Sequence, residues 1–187
     1  MAAKSTIFKA TLQISDMERH YYQDHNLTIA RHPSETDERM MVRLLAFAMN
    51  AHERLEFGRG LSTEDEADLW QKDLTGGSAF CYFLDSGGDV GMPDERLVRK
   101  ACGRSQQVTV YCYGGRIAEM WAEQHSAQFA RQNNLRIVNL LPDHTQALAV
   151  LAQRNMTLHC LVQDGLVSFS DDSQAVELEP VLLYPAP

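Results

Sequence analysis

The stretch Asp68-Leu69-Trp70-Gln71-Lys72-Asp73-Leu74-Thr75-Gly76-Gly77-Ser78-Ala79-Phe80-Cys81-Tyr82-Phe83-Leu84-Asp85 decides how the rest of the chain is read. Asp68 to Leu74 and Ala79 to Leu84 bracket Thr75-Gly76-Gly77. A short glycine-bearing connection between two β-forming runs predicts a hairpin. The second run is the most apolar in the chain.

Downstream of the hairpin, element types alternate. Pro93 sits at the first turn of a short helix, Asp94 to Cys102, stopped by Gly103. Val108 to Tyr113 reads as a strand, Arg116 to Arg131 as a helix and Leu135 to Leu140 as another strand. A strand, helix and strand in that order predict a parallel pair with a right-handed crossover. Thr145 to Gln153 is a last helix. Upstream, Ser34 is placed to cap a helix, with Asp37 three residues on. Met41, Leu44, Leu45, Ala48, Ala51 and Leu55 then recur at helical spacing until Gly58 and Gly60.

The two ends read as strands. Thr6 to Ile14 alternates with period two, and Tyr21 to Ile29 returns, making a hairpin over Lys4 to Arg31. Met156 to Gln163 and Leu166 to Ser170 flank Asp164-Gly165, a type I′ signal, and Val176 to Tyr184 is a third strand. The expected architecture is one α/β (α+β) domain over residues 1–187. Terminal strands in 4–31 and 156–184 form a second sheet around a core at 32–153.

Composition narrows the function classes. The 187 residues carry 17 Lys and Arg against 25 Asp and Glu, a net charge of −8. That argues against a general polyanion binder, so any nucleic-acid grip must be local. There is no apolar run of membrane-spanning length and no secretory leader, so the expectation is a soluble, cytoplasmic protein without membrane partners. Cys81, Cys102, Cys112 and Cys160 include no Cys-x-x-Cys pair and lie in or beside apolar runs, as core thiols do. His52-Glu53 begins like a zinc-protease helix, but no second histidine follows on that face.

Acids at element ends are the candidate chemistry. Glu38 falls in the first turn of the long helix, on the side of Met41, Leu45 and Ala48. Asp68 starts one hairpin strand, Asp85 ends the other, and Asp89 follows shortly. Arg96, Arg99 and Lys100 come next on a short helix. Two carboxylates beside a lysine suit metal-assisted phosphodiester hydrolysis: the acids hold Mg²⁺ or Mn²⁺, and the lysine orients water or offsets developing charge. Read without that chemistry, the same aspartates are turn residues and Glu38 complements the helix dipole.

Several segments together carry a resemblance. They are Ala30-Arg31-His32-Pro33-Ser34-Glu35-Thr36 with Glu38-Arg39-Met40-Met41, Glu53-Arg54-Leu55 with Gly60-Leu61, and Asp65-Glu66 before Asp68 and Trp70. They continue with Gly91-Met92-Pro93-Asp94-Glu95-Arg96, Arg99-Lys100-Ala101-Cys102, Met156-Thr157-Leu158, Gln163-Asp164-Gly165 and Ser170-Asp171-Asp172. Over nearly its whole length the chain resembles the YaeQ family of small bacterial proteins. That family is regarded as a variant of the PD-(D/E)XK nuclease-like superfamily, which implies a mixed central sheet flanked by helices.

The resemblance also implies roles. Asp68 matches the first acid, although Ala67 replaces the preceding proline. Asp89 matches the second acid, and Gly91 stands where lysine would be. Asp85 is the alternative to Asp89, because the hairpin is longer than the family's. Lys100, then Arg96, is the candidate replacement for the lysine, and Glu38 fits a helix-borne metal acid. The implied catalytic set is Asp68, Asp89 and Lys100, with Glu38, Asp68 and Asp89 as metal ligands. The implied activity is Mg²⁺- or Mn²⁺-dependent cleavage of DNA or RNA. The alternative is a non-catalytic nucleic-acid- or protein-binding module on the same scaffold, serving transcription or DNA maintenance. Tyr111, Tyr113 and Trp121 are expected in the core rather than stacked on bases.

Overall fold

In the computed structural model, the residues described are 4–58, 66–85 and 92–185. Among them the fold is mixed α and β, with eleven strands in two mixed sheets and five helices. The contacts gather into two compact units, one made of residues 4–51 and 143–179, the other of residues 52–58, 66–85, 92–142 and 180–185.

The first unit joins strands from both ends of the chain. They are β1 (Thr6–Asp16), β2 (Tyr21–Arg31), β8 (Asn155–Gln163), β9 (Leu166–Ser170) and β10 (Ala175–Leu178), in the order β10-β9-β8-β1-β2. β1 is antiparallel to β2 and parallel to β8. The period-two pattern sets the register: Ala10, Leu12 and Ile14 lie opposite Met156, Leu158 and Cys160, all buried. The I′ turn is present, with φ of 53° at Asp164 and 78° at Gly165.

Helix α1 (Asp37–Met49) belongs to this unit and is buried continuously from Met40 to Ala48. It starts later than the expected Ser34 cap. Thr36 Oγ1 accepts the Arg39 N–H at 3.1 Å, while Ser34 is engaged by the His32 ring. The helix also ends six residues before Leu55, which opens a strand instead. Its last carbonyls have no basic residue of their own nearby. Arg19, from the β1–β2 turn, supplies the cation, donating to Ala51 O at 3.1 Å and Ala48 O at 3.4 Å. Asp16 holds that guanidinium through Nε at 2.6 Å. Helix α5 (Pro142–Ala149) begins before the expected Thr145.

The second unit carries β3 (Leu55–Phe57), β4 (Leu69–Lys72), β5 (Ser78–Asp85), β6 (Ser105–Cys112), β7 (Leu135–Asn139) and β11 (Val181–Tyr184), in the order β11-β7-β6-β5-β4-β3. β4 and β5 form the expected antiparallel hairpin, and β5, β6 and β7 run parallel. α2 (Glu95–Cys102) links β5 to β6, capped by Asp94, whose Oδ1 accepts the Arg96 N–H at 2.9 Å. The expected helix over 116–131 is two, α3 (Arg116–Gln124) and α4 (Ser126–Phe129). The break falls at His125, whose N–H and Nδ1 both turn back to Trp121 O. The core gathers Val98 and Cys102 with Val108, Val110, Cys112, Ala118, Trp121, Phe129 and Ile137.

The expected third terminal strand, Val176 to Tyr184, divides between the two sheets. β10 pairs with β9, and β11 pairs with β7. Pro180 separates them; it has no N–H to continue a ladder.

Candidate functional site

Asp68 directly precedes β4 and is 8% exposed. Its backbone is held from both sides: its N–H donates to Tyr82 O at 2.9 Å, and its carbonyl accepts the Gly58 N–H at 2.8 Å. Gly58, expected from sequence to stop the long helix, instead lets the end of β3 approach Asp68. A Cβ there would run into the Ala67 carbonyl oxygen.

The hairpin register fixes where the acids lie. Leu69 pairs with Tyr82. The head of β4 and the tail of β5 are therefore at one end of the hairpin, and Asp68 and Asp85 both belong to that end. Asp85 also closes a row across the parallel strands, Asp85–Cys112–Asn139. This is the carboxyl edge of the parallel strands, where α/β sheets take up ligands. Asn139 is 1% exposed, and its Oδ1 has no hydrogen-bond partner among the described residues. Nothing in the sequence singled it out.

Asp89 and Gly91 lie outside the described residues, as do Arg59 to Asp65. Lys100 is exposed on α2. Arg96, Arg104 and Arg116 are exposed as well, and Arg99 pairs with Glu95 at 3.0 Å. Tyr111, Tyr113 and Trp121 are core residues, at most 8% exposed. Among the described residues, no group of three or more His, Cys, Asp and Glu side chains is arranged to hold a metal ion. Carboxylates are nevertheless the hard oxygen donors that Mg²⁺ and Mn²⁺ take.

Glu38 lies in the first unit. Its Oε1 accepts the hydroxyl of Thr145 at 2.6 Å, and Thr145 is completely buried on α5. The start of α1 is further fixed by Glu35, 5% exposed, which binds Arg39 at 2.9 Å and the 2% exposed Arg43 at 2.8 Å. Asp37 pairs with Arg31.

Cys102, Cys112 and Cys160 are buried. Burial, and then the Asp16 carboxylate, push the Cys160 thiol up to about 12, with Arg19 opposing. No helix among the described residues is long and apolar enough to cross a membrane.

Comparison with known proteins agrees along the length of the chain. The family profile described as YaeQ protein matches residues 1–180. The curated protein named Uncharacterized protein YaeQ from Salmonella typhi is 41% identical over 179 residues, 96% of each chain. Its counterpart from Escherichia coli (strain K12) is 39% identical over 178 residues, 95% of each. The crystal structure of YaeQ protein from Xanthomonas axonopodis pv. citri superposes with a TM-score of 0.90 at 49% identity, covering 98% of this chain and 99% of that one. The crystal structure from Pseudomonas syringae gives 0.87 at 32% identity, with 96% of each chain covered.

Proposed function

The chain belongs to the YaeQ family, and from that premise we propose that it is a metal-dependent phosphodiesterase of the PD-(D/E)XK nuclease-like kind, acting on DNA or RNA. One observation carries the reading. Asp68 and Asp85 mark the same end of an antiparallel hairpin, and the helix that follows bears Lys100. Acid, strand, turn, strand, acid, helix and lysine is the order that a variant nuclease site requires.

Asp68 supplies one carboxylate, and Asp89, or Asp85 in its place, supplies the second. When bound, Mg²⁺ or Mn²⁺ contributes Lewis-acid polarisation of the phosphate and a lowered pKa for water. Lys100 brings a positive charge to offset the charge developing on the phosphate, or orients the water. Glu38 is carried over from the resemblance as the helix-borne acid. A local basic strip of Arg96, Arg99, Lys100, Arg104 and Arg116 would give an otherwise acidic chain its approach to a polyanion.

The test is Mn²⁺ calorimetry alongside cleavage of single- and double-stranded DNA and RNA. Asp68→Asn should leave the fold intact and reduce cleavage by about a thousandfold, the scale of several kcal/mol of electrostatic stabilisation. No metal binding together with no cleavage of any substrate overturns the enzyme. Gly91 in the lysine position favours one competing reading, a non-cleaving binder on the same scaffold. In that case a salt-dependent gel shift persists in Asp68→Asn, and the wild type does not cut.

A further inference from the structure

Helix α3 exposes an apolar stripe. Ile117 is 52% exposed and Met120 59%, although both are large apolar side chains on a helix whose other face joins the core. With Trp121, Gln124 and His125 they follow helical spacing along one side. Opposite them, Met92, Pro93, Asp94 and Glu95 from the start of α2 complete a groove of about 530 Å³ within the second unit. Contiguous exposed apolar surface beside polar groups marks an interaction site more often than it marks accident. Two of the lining residues are methionines, whose flexible thioethers adapt to varied apolar partners.

Charge selects the occupant. Among the described residues, Asp94 and Glu95 are the only Lys, Arg, Asp or Glu side chains that line the groove, and both are acidic. They stand at one end of it, at the head of α2, and Glu95 also meets Arg99 on the next turn. The spacing of Ile117, Met120, Trp121 and Gln124 is that of a surface that receives another helix. We propose that this groove docks an amphipathic helical segment of a partner protein, its leucine-like face on Ile117, Met120 and Trp121 and an arginine or lysine at the Asp94–Glu95 end. The site is independent of the metal reading, since none of its residues is among the candidate ligands.

The probe is a synthetic amphipathic peptide of about 15 residues, long enough to hold a helix when bound, with leucines along one face and an arginine at one end. Binding is read by fluorescence anisotropy on the whole protein. Met120→Glu should weaken it about tenfold, as loss of a central apolar contact does. Ile117→Gln is the second apolar variant, with circular dichroism confirming that each folds. Asp94→Asn keeps the helix cap; together with Glu95→Gln it should weaken binding about threefold, the scale of an exposed ion pair. Replacing the peptide's arginine by glutamate should weaken binding at least as much. The proposal is overturned if the arginine peptide does not bind at millimolar concentration, if neither apolar variant affects it, or if the glutamate peptide binds equally well. It is also overturned if sedimentation shows a dimer of this chain that Met120→Glu dissolves, because the groove is then a self-interface.

Discussion

In the first unit Asp16, Glu35 and Asp37 each sit against an arginine. In the second unit Asp68 and Asp85 are set by backbone register at one end of a hairpin. The first arrangement ties segments together: Asp16 holds Arg19 against the end of α1, and Glu35 holds the start of that helix through Arg39 and Arg43. The second arrangement follows from the ladder that joins β4 to β5, which brings both acids to one end of the hairpin. Acids that link elements should be needed for stability. Acids placed at the carboxyl edge of a parallel sheet should be needed for ligands.

The strongest way to break this contrast is Arg43→Ala. It removes a guanidinium buried to 2% exposure that binds both Glu35 and Ala30 O. Glu35 keeps Arg39 but loses its more deeply buried partner, which should cost about 3 kcal/mol, the lower end for a broken buried pair, read from urea unfolding. If Arg43→Ala is neutral while Asp68→Asn unfolds the chain, the contrast is reversed.

Gly58→Ala sharpens the same contrast from the other side. The added methyl runs into the Ala67 carbonyl next to Asp68, and backbone on both sides must shift. The expected loss is about 1–3 kcal/mol, as for other overpacking changes. Mn²⁺ affinity should fall along with stability, because the backbone that aims Asp68 is displaced. Unchanged metal affinity in a destabilised Gly58→Ala would separate Asp68 from the site.

Local rules made much of this legible. Asp94 caps α2 through its side chain as its residue type predicts, and Asp164-Gly165 forms the turn its residues dictate. The chain ran past what local rules could reach wherever a distant partner decided the outcome. Ser34 was an adequate cap until His32 engaged it, which left the task to Thr36. Leu55 to Phe57 is too short for a period to show, and only its pairing with β4 makes it a strand. The helical position of Glu38 is local, but Thr145, which binds it, lies 107 residues away. The head of the hairpin is legible from Asp68 and Asp85 themselves. The role of Gly58 depends on a contact with Ala67 that no spacing announces.

The smallest effect concerns His25 in the first unit. His25 lies edge-on to Phe47, with centroids 5.2 Å apart, and its Nε2 is 2.7 Å from the Tyr21 hydroxyl. Burial lowers its pKa below the ordinary 6.5, and the nearby Asp24 charge only partly opposes that. A depressed histidine is held neutral in the folded chain while the unfolded chain takes up a proton. Its contribution to stability is therefore complete above 6.5 and is lost as the pH falls through the lower folded value. Urea midpoints measured at about pH 7.5 and about pH 5.5 should differ more in the wild type than in His25→Gln, which cannot titrate. An equal pH slope in the two proteins would mean that the His25 environment does not distinguish its charged form.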